Sequence, residues 1–173
     1  MIEAVAVQPA RRPALPAASA ARLIALLLPL ALLAGAFGSE YIGGLNPCEM
    51  CWWQRYAHIA ALVPAGLAFT APAASRGSKV LTLLAAAAIA VSGAIGVYHA
   101  GVELGIFEGF TTCTANSTGA TTADIFRKIA GAPLIRCDQV QWSLLGISMA
   151  GWNAILSLGG AAIIVVLSAR RGA

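Results

Sequence analysis

Asn46-Pro47-Cys48-Glu49-Met50-Cys51-Trp52-Trp53-Gln54-Arg55 stands where a short polar turn gives way to a long apolar run. Asn46 suits a helix N-cap, Pro47 suits the first helical position, and Glu49 falls three residues after the cap, as in a capping box. Cys48 and Cys51 then sit in the opening turns of a helix, where free backbone N–H groups and the positive dipole end favour a thiolate. Cys51 and Arg55 are four apart and share a face; His58 continues that face one turn deeper. Polar residues are confined to the first two turns of the stretch from about Trp52 to Pro72. The segment therefore reads as a membrane helix with two thiols at its mouth.

The rest of the 173 residues supports a bilayer as solvent. The chain is 59% hydrophobic and 10% charged, with a mean hydropathy of +0.80, against about 25% charged residues in ordinary soluble domains. Three further stretches meet the need for roughly 20 apolar residues: about Leu23 to Ile42, Val80 to Tyr98, and Leu144 to Ala169. The pI of about 9.2 lacks the basic–aromatic interleaving of a nucleic-acid surface. Topology explains it instead. Arg11, Arg12, Arg22, Arg76, Lys79, Arg170 and Arg171 are seven of the eleven Lys and Arg, and all lie in the two tails or the loop between spans two and three. The positive-inside rule makes that face cytoplasmic. Glu40, Glu49, Glu103, Glu108, Asp124 and Asp138 fall on or beside the opposite face, and so do all four cysteines, where disulfides persist.

The expected fold is all-α: a four-transmembrane-helix bundle with both termini cytoplasmic. Residues 1–20 form a disordered tail, and residues 21–173 a single membrane domain. A long outer loop, about residues 99–142, joins helices three and four, and Ile125, Phe126 and Ile129 within it suit a short surface helix. The alternative for the first span, a signal peptide cleaved after Ala34-Gly35-Ala36, would leave three spans and set Arg76 and Lys79 opposite Arg170 and Arg171.

Cysteine spacing alone leaves several chemistries open. Cys48-x-x-Cys51 is half of a zinc site, but Cys113 and Cys137 have 23 residues between them and are no second close pair. Haem attachment needs a histidine where Trp52 stands. A structural staple at each pair is the stronger rival, and a relay between a mobile outer pair and a fixed pair near lipid is the functional reading.

Four motifs decide among these by resemblance: Cys48-x-x-Cys51-x-x-Gln54-Arg55; Tyr98-His99-Ala100-Gly101-Val102-Glu103 before Cys113; Pro133-Leu134-Ile135-Arg136-Cys137-Asp138; and Gly146-Ile147-Ser148-Met149-Ala150-Gly151-Trp152-Asn153. In this order and these topological places the chain resembles the bacterial disulfide bond formation protein B (DsbB) family, quinone-linked thiol oxidoreductases of the inner membrane. The resemblance implies a periplasmic DsbA-like thioredoxin-fold oxidase as partner and a membrane quinone, ubiquinone or menaquinone, as acceptor. It also implies that Cys113 and Cys137 form the outer disulfide, with Cys113 taking the mixed disulfide to the partner. Cys137 would then attack Cys48, and Cys51 would face the quinone, with Arg55, Gln54 and His99 at the quinone site. No metal is implied.

Redox energetics favour that order independently. A DsbA-type oxidant lies near about −120 mV, so its reoxidation needs an acceptor of still higher potential, which a lipid-soluble quinone supplies. Two rivals remain on the sequence: a vitamin K epoxide reductase-like enzyme, which places its loop pair before the membrane Cys-x-x-Cys, and a non-enzymatic subunit with structural disulfides.

Overall fold

The computed structural model describes residues 16–109 and 136–170. Its elements are α1 (Ala17–Tyr41), α2 (Glu49–Leu67), a 3₁₀ turn (Ala68–Thr70), α3 (Arg76–Glu103), a two-stranded hairpin of β1 (Ser143–Leu144) and β2 (Ile147–Ser148), and α4 (Met149–Ala169). The proposed surface helix at Ile125, Phe126 and Ile129, and Cys113, lie outside the described residues.

Helix boundaries depart from the apolar runs where local chemistry intervenes. Helix α1 begins at Ala17, because Ala17, Ala18, Ala20 and Ala21 are strong helix formers. Residues 17–20, expected in the tail, are therefore helical. Helix α3 extends both ends of its run: Ser75 caps it, its Oγ accepting from Ser78 N at 3.1 Å, and it continues past Tyr98 to Glu103. The last helix starts later than Leu144. Leu145 (φ 54°) and Gly146 (φ 77°) form a two-residue turn with positive φ at both positions, which folds Ser143–Leu144 back on Ile147–Ser148. Ser148 then caps α4, accepting from Gly151 N at 3.1 Å.

Helices α1, α3 and α4 are long and apolar enough to cross a membrane. Helix α2, with Glu49, Gln54, Arg55 and His58 in its first half, is not among them, although four spans were expected. It is packed into the bundle all the same. α3 lies along α2 and α4, and α1 closes the ring against both. Large apolar side chains such as Leu27, Val63, Leu84, Val91 and Ile163 point outward and are exposed. Alanines fill the interior at one end: Ala21, Ala25, Ala61, Ala65 and Ala85 surround Ile89 and Ile164. Such small residues let helix backbones approach closely where lipid removes the hydrophobic drive between helices. Arg22 belongs to this end, donating to the Ala71 carbonyl at 3.2 Å and lying over the Phe69 ring.

The opposite end gathers the C-termini of α1 and α3 with the N-termini of α2 and α4. Here α3 comes close to α4 at Gly96, where a Cβ would sit 3.0 Å from the Ala150 carbonyl oxygen and 3.1 Å from Asn153 Nδ2. That contact brings Asn153 into the bundle axis.

Candidate functional site

The thiol pair opens α2, but the helix begins two residues later in the chain than the capping signal suggests. Cys48, not Asn46, is the N-cap: its backbone is extended, and its Sγ accepts from Cys51 N at 3.3 Å. The sulfur itself thus occupies the seat of a capping oxygen, on the unpaired N–H groups of the first turn. Cys48 is buried and Cys51 half-buried, and their Sγ atoms lie 3.0 Å apart.

Cys137 meets this pair from the far side. It is fully buried in a cluster with Cys48, Met50 and Val102, and its side chain is hydrogen-bonded to Cys48. These bonds, first to Cys137 and then to Cys51, push the Cys48 thiol up, and burial adds to the shift. Next in the chain, Asp138 pairs with Arg136, whose hydrogen bond and charge hold the Asp138 carboxyl below the usual carboxylate range. Three of the four sequence-predicted cysteines are described, and all three converge on one point.

Arg55 does not snorkel to the interface. Its side chain is buried, ion-paired with Glu40 at the end of α1, and donates from Nη2 to the Ala36 carbonyl at 2.9 Å. The guanidinium also lies 4.8 Å from the Phe37 ring centre and 4.9 Å from that of Trp52. A desolvated cation stays in place when a carboxylate, a carbonyl and two aromatic faces enclose it. Glu40, noted in the sequence only for its charge, is thereby a partner of the motif arginine; nothing in the spacing of α1 and α2 marks the pairing.

Behind the cysteines runs a polar network that the sequence reading located only in part. Gln54 Nε2 is 2.9 Å from His99 Nδ1, and His99 Nε2 is 3.5 Å from Cys48 Sγ. Asn153 Nδ2 donates to Gln54 Oε1 at 2.8 Å, and its Oδ1 is 2.9 Å from His58 Nε2. The family motif led to Gln54 and His99, whereas Asn153 and His58 look like helix-packing and span residues until the four helices are assembled. The ligand atoms of Cys48, Cys51 and His99 lie within 4.8 Å of one another, close enough to converge on a metal ion.

A cavity of about 420 Å³ joins these groups. Cys51, Arg55, Gln54, His58 and His99 form its polar wall, and Leu32, Leu33 and Ala36 of α1 its apolar one. Its size and mixed lining suit a small, largely apolar ligand with a few polar atoms.

Comparison with known proteins agrees with this geometry. The family model described as "Disulfide bond formation protein DsbB" matches residues 18–167. A "Disulfide bond formation protein B" from Methylococcus capsulatus is 31% identical over 154 residues, covering 84% of this chain and 90% of its own length. Proteins of the same name from Polaromonas sp. (29% identity; 86% of this chain, 90% of theirs) and Marinobacter nauticus (27%; 76% and 80%) are also similar. No solved structure matches the chain.

Proposed function

This chain belongs to the disulfide bond formation protein B family, and from that premise we propose that it is a thiol:quinone oxidoreductase that reoxidises a DsbA-like periplasmic dithiol oxidase. The observation that carries the reading is the order of groups along the site: Cys137 against Cys48, Cys48 against Cys51, and Cys51 with Arg55 on the cavity wall.

The steps are successive thiol–disulfide exchanges. A partner thiolate attacks the Cys113–Cys137 disulfide at Cys113, and the electron pair of the broken bond leaves on Cys137. Cys137 attacks Cys48 of the inner disulfide, and Cys51 leaves as a thiolate. That thiolate lies within electrostatic reach of Arg55. The partner's second thiolate attacks its own sulfur in the mixed disulfide and frees Cys113. Cys113 attacks Cys137 to reclose the outer disulfide and leaves the electron pair on Cys48. Reclosure of Cys48–Cys51 then gives up two electrons and two protons, once per partner oxidised, and a bound quinone would supply the acceptor for them. Cys51, Arg55, Gln54 and His99 are the residues that would hold it: the mixed lining fits a ring with polar oxygens, and Arg55 offers a fixed positive charge to an oxygen that gains electrons. Burial of Cys48 and Cys137 shields the exchange from water and from competing thiols.

In this reading α2 is a fourth span, held in the bilayer by its neighbours. Both termini are cytoplasmic, the protein is in the inner membrane, and the cysteines face the periplasm. Residues 21–173 act as one domain. The test is anaerobic turnover of the purified chain with a reduced DsbA-like partner and added ubiquinone or menaquinone. Stoichiometric loss of partner thiols with quinol formation is expected. Partner oxidation with neither quinone would remove the quinone from the reading.

A further inference from the structure

The network behind the cysteines contains two acceptors whose nature is beyond choice, because they are backbone carbonyls. Asn153 Nδ2 lies 3.2 Å from the Ser92 carbonyl oxygen, and Gln54 Nε2 lies 3.1 Å from that of Met50. A carbonyl only accepts, so each amide must turn its NH₂ toward it. The orientations also agree with each other, since Asn153 Nδ2 then donates to Gln54 Oε1 at 2.8 Å. Ser92 Oγ, which donates to the Gln54 carbonyl at 3.0 Å, fixes the same corner.

The two histidines inherit their proton positions from these amides. Gln54 Nε2 donates to His99 Nδ1, so Nδ1 is the bare nitrogen and Nε2 carries the hydrogen. That N–H faces Cys48 Sγ at 3.5 Å and is shared with the Cys137 main-chain carbonyl, which also accepts from the ring, with Glu103 Oε1 3.9 Å away. On the other side Asn153 Oδ1 accepts from His58 Nε2, and Ser157 Oγ donates to the same oxygen at 3.0 Å. His58 Nδ1 is therefore also bare; it is buried and has no hydrogen-bond partner among the described residues. Metal binding through His99 Nε2 would demand reversal of both amides, so the Cys48, Cys51 and His99 cluster is better described as a thiol with its donor.

We propose that Asn153 is a positioning residue that sets both histidines: through Gln54 it holds His99 as a neutral ring donating Nε2–H to the Cys48 sulfur, and directly it holds His58 with Nδ1 bare. The consequence for exchange at Cys48 rests on the thiol-relay reading above. When an incoming thiolate breaks a disulfide through Cys48, the new S–S bond forms at the partner sulfur, and the old electron pair stays on Cys48. His99 Nε2–H and the Cys51 backbone N–H then both donate to that buried sulfur, and no proton leaves the ring. The charged and titratable groups around the two rings are Glu103 from α3, Cys48, Cys51 and Arg55 (paired with Glu40 of α1) from α2, and Cys137 and Arg136 from the segment before the hairpin.

The chain has two histidines, both in this network, so imidazole ¹⁵N spectra of the full-length protein read it without ambiguity and without quinone or partner. Both rings should show the Nε2–H tautomer at neutral pH. Asn153→Asp keeps the acceptor for His58 but removes the donor to Gln54. It should switch His99 toward Nδ1–H and leave His58 as it was. Asn153→Leu, a second and uncharged variant, should change both rings. With Cys48 as sole thiol (Cys51, Cys113 and Cys137 replaced by Ser), Asn153→Leu should slow alkylation about tenfold at neutral pH and shift its pH profile upward, as expected for a lost hydrogen bond to an anion. Nδ1–H on either ring of the wild type, or unchanged spectra in Asn153→Leu, would overturn the proposal. So would a switch of both rings in Asn153→Asp. Failure of quinone turnover alone would count against the thiol-relay reading and leave the tautomer assignment standing.

Discussion

The two ends of the bundle solve the same packing problem with different chemistry. At the Arg22 end, alanines from all four helices interlock around Ile89 and Ile164 with no buried charge. At the cysteine end, Gln54, Arg55, His58 and His99 are buried and Asn153 half-buried in the space between the same helices. In lipid the first end holds through close van der Waals contact and the second through hydrogen bonds that have no water to compete with them. The contrast separates stability from chemistry: the first end can be loosened without touching a reacting atom, and at the second a thiol can be replaced while the hydrogen bonds that hold it stay in place.

Cys51→Ser should test that separation most severely. Quinone reduction should fall to background, because no thiolate forms at the cavity wall, while the thermal midpoint stays at the wild-type value. Retained turnover would break the assignment of Cys51.

Arg55→Met is expected to slow electron transfer to quinone by about 10²-fold, the usual cost of losing one fixed electrostatic group at a developing anion. Exchange between the outer pair and the partner should be nearly unchanged. The variant leaves Glu40 without its cation, which is itself destabilising. Arg55→Met combined with Glu40→Gln should therefore regain stability without regaining rate. Rapid-mixing kinetics beside a melting curve would distinguish the two.

Ala65→Leu probes the other end. Overpacking a close helix contact should cost about 1–3 kcal/mol, seen as a lower midpoint, with turnover per folded molecule unaltered. A loss of rate without a loss of stability would erase the distinction between the ends.

The smallest effect is expected at Asp138. Arg136 depresses its folded-state carboxyl, so the pair contributes stability above the usual carboxylate range, and that contribution is lost as pH falls through the depressed value. Nothing should change between about pH 5 and 8. Asp138→Asn should flatten only the acid limb of a stability–pH curve, and by little, since the pair is exposed and screened.

These expectations show which parts of the molecule could be read from residues alone. Three spans were legible because long apolar runs suffice to identify them. Helix α2 was legible by its capping signal and apolar second half, yet its cap was misplaced: a cysteine sulfur fills a role that statistics give to Asn46. The start of α4 was obscured because Leu144 and Leu145 are as apolar as the helix that follows, while the turn at Leu145-Gly146 depends on backbone sign rather than polarity. Within the site, Cys48, Cys51, Gln54 and Arg55 were visible as a local motif. The partnership of Glu40 with Arg55, and of Asn153 with Gln54 and both histidines, joins residues up to 99 positions apart. No periodicity within one helix encodes such a contact.

Helix α2 also bears on how the protein is made. Its first half carries Gln54, Arg55 and His58, and a single arginine deep in a span disfavours insertion by about 2.5–3.5 kcal/mol. Emerging alone from a ribosome, it would be a poor candidate to settle in lipid. Glu40 on the preceding helix neutralises the arginine, and on the following one His99 meets the Gln54 side-chain amide while Ser92 donates to the Gln54 main-chain carbonyl. In the proposed reading, with α2 as a fourth span, this segment becomes membrane-stable only as its neighbours arrive, which delays assembly of the site at least until the third helix has been synthesised.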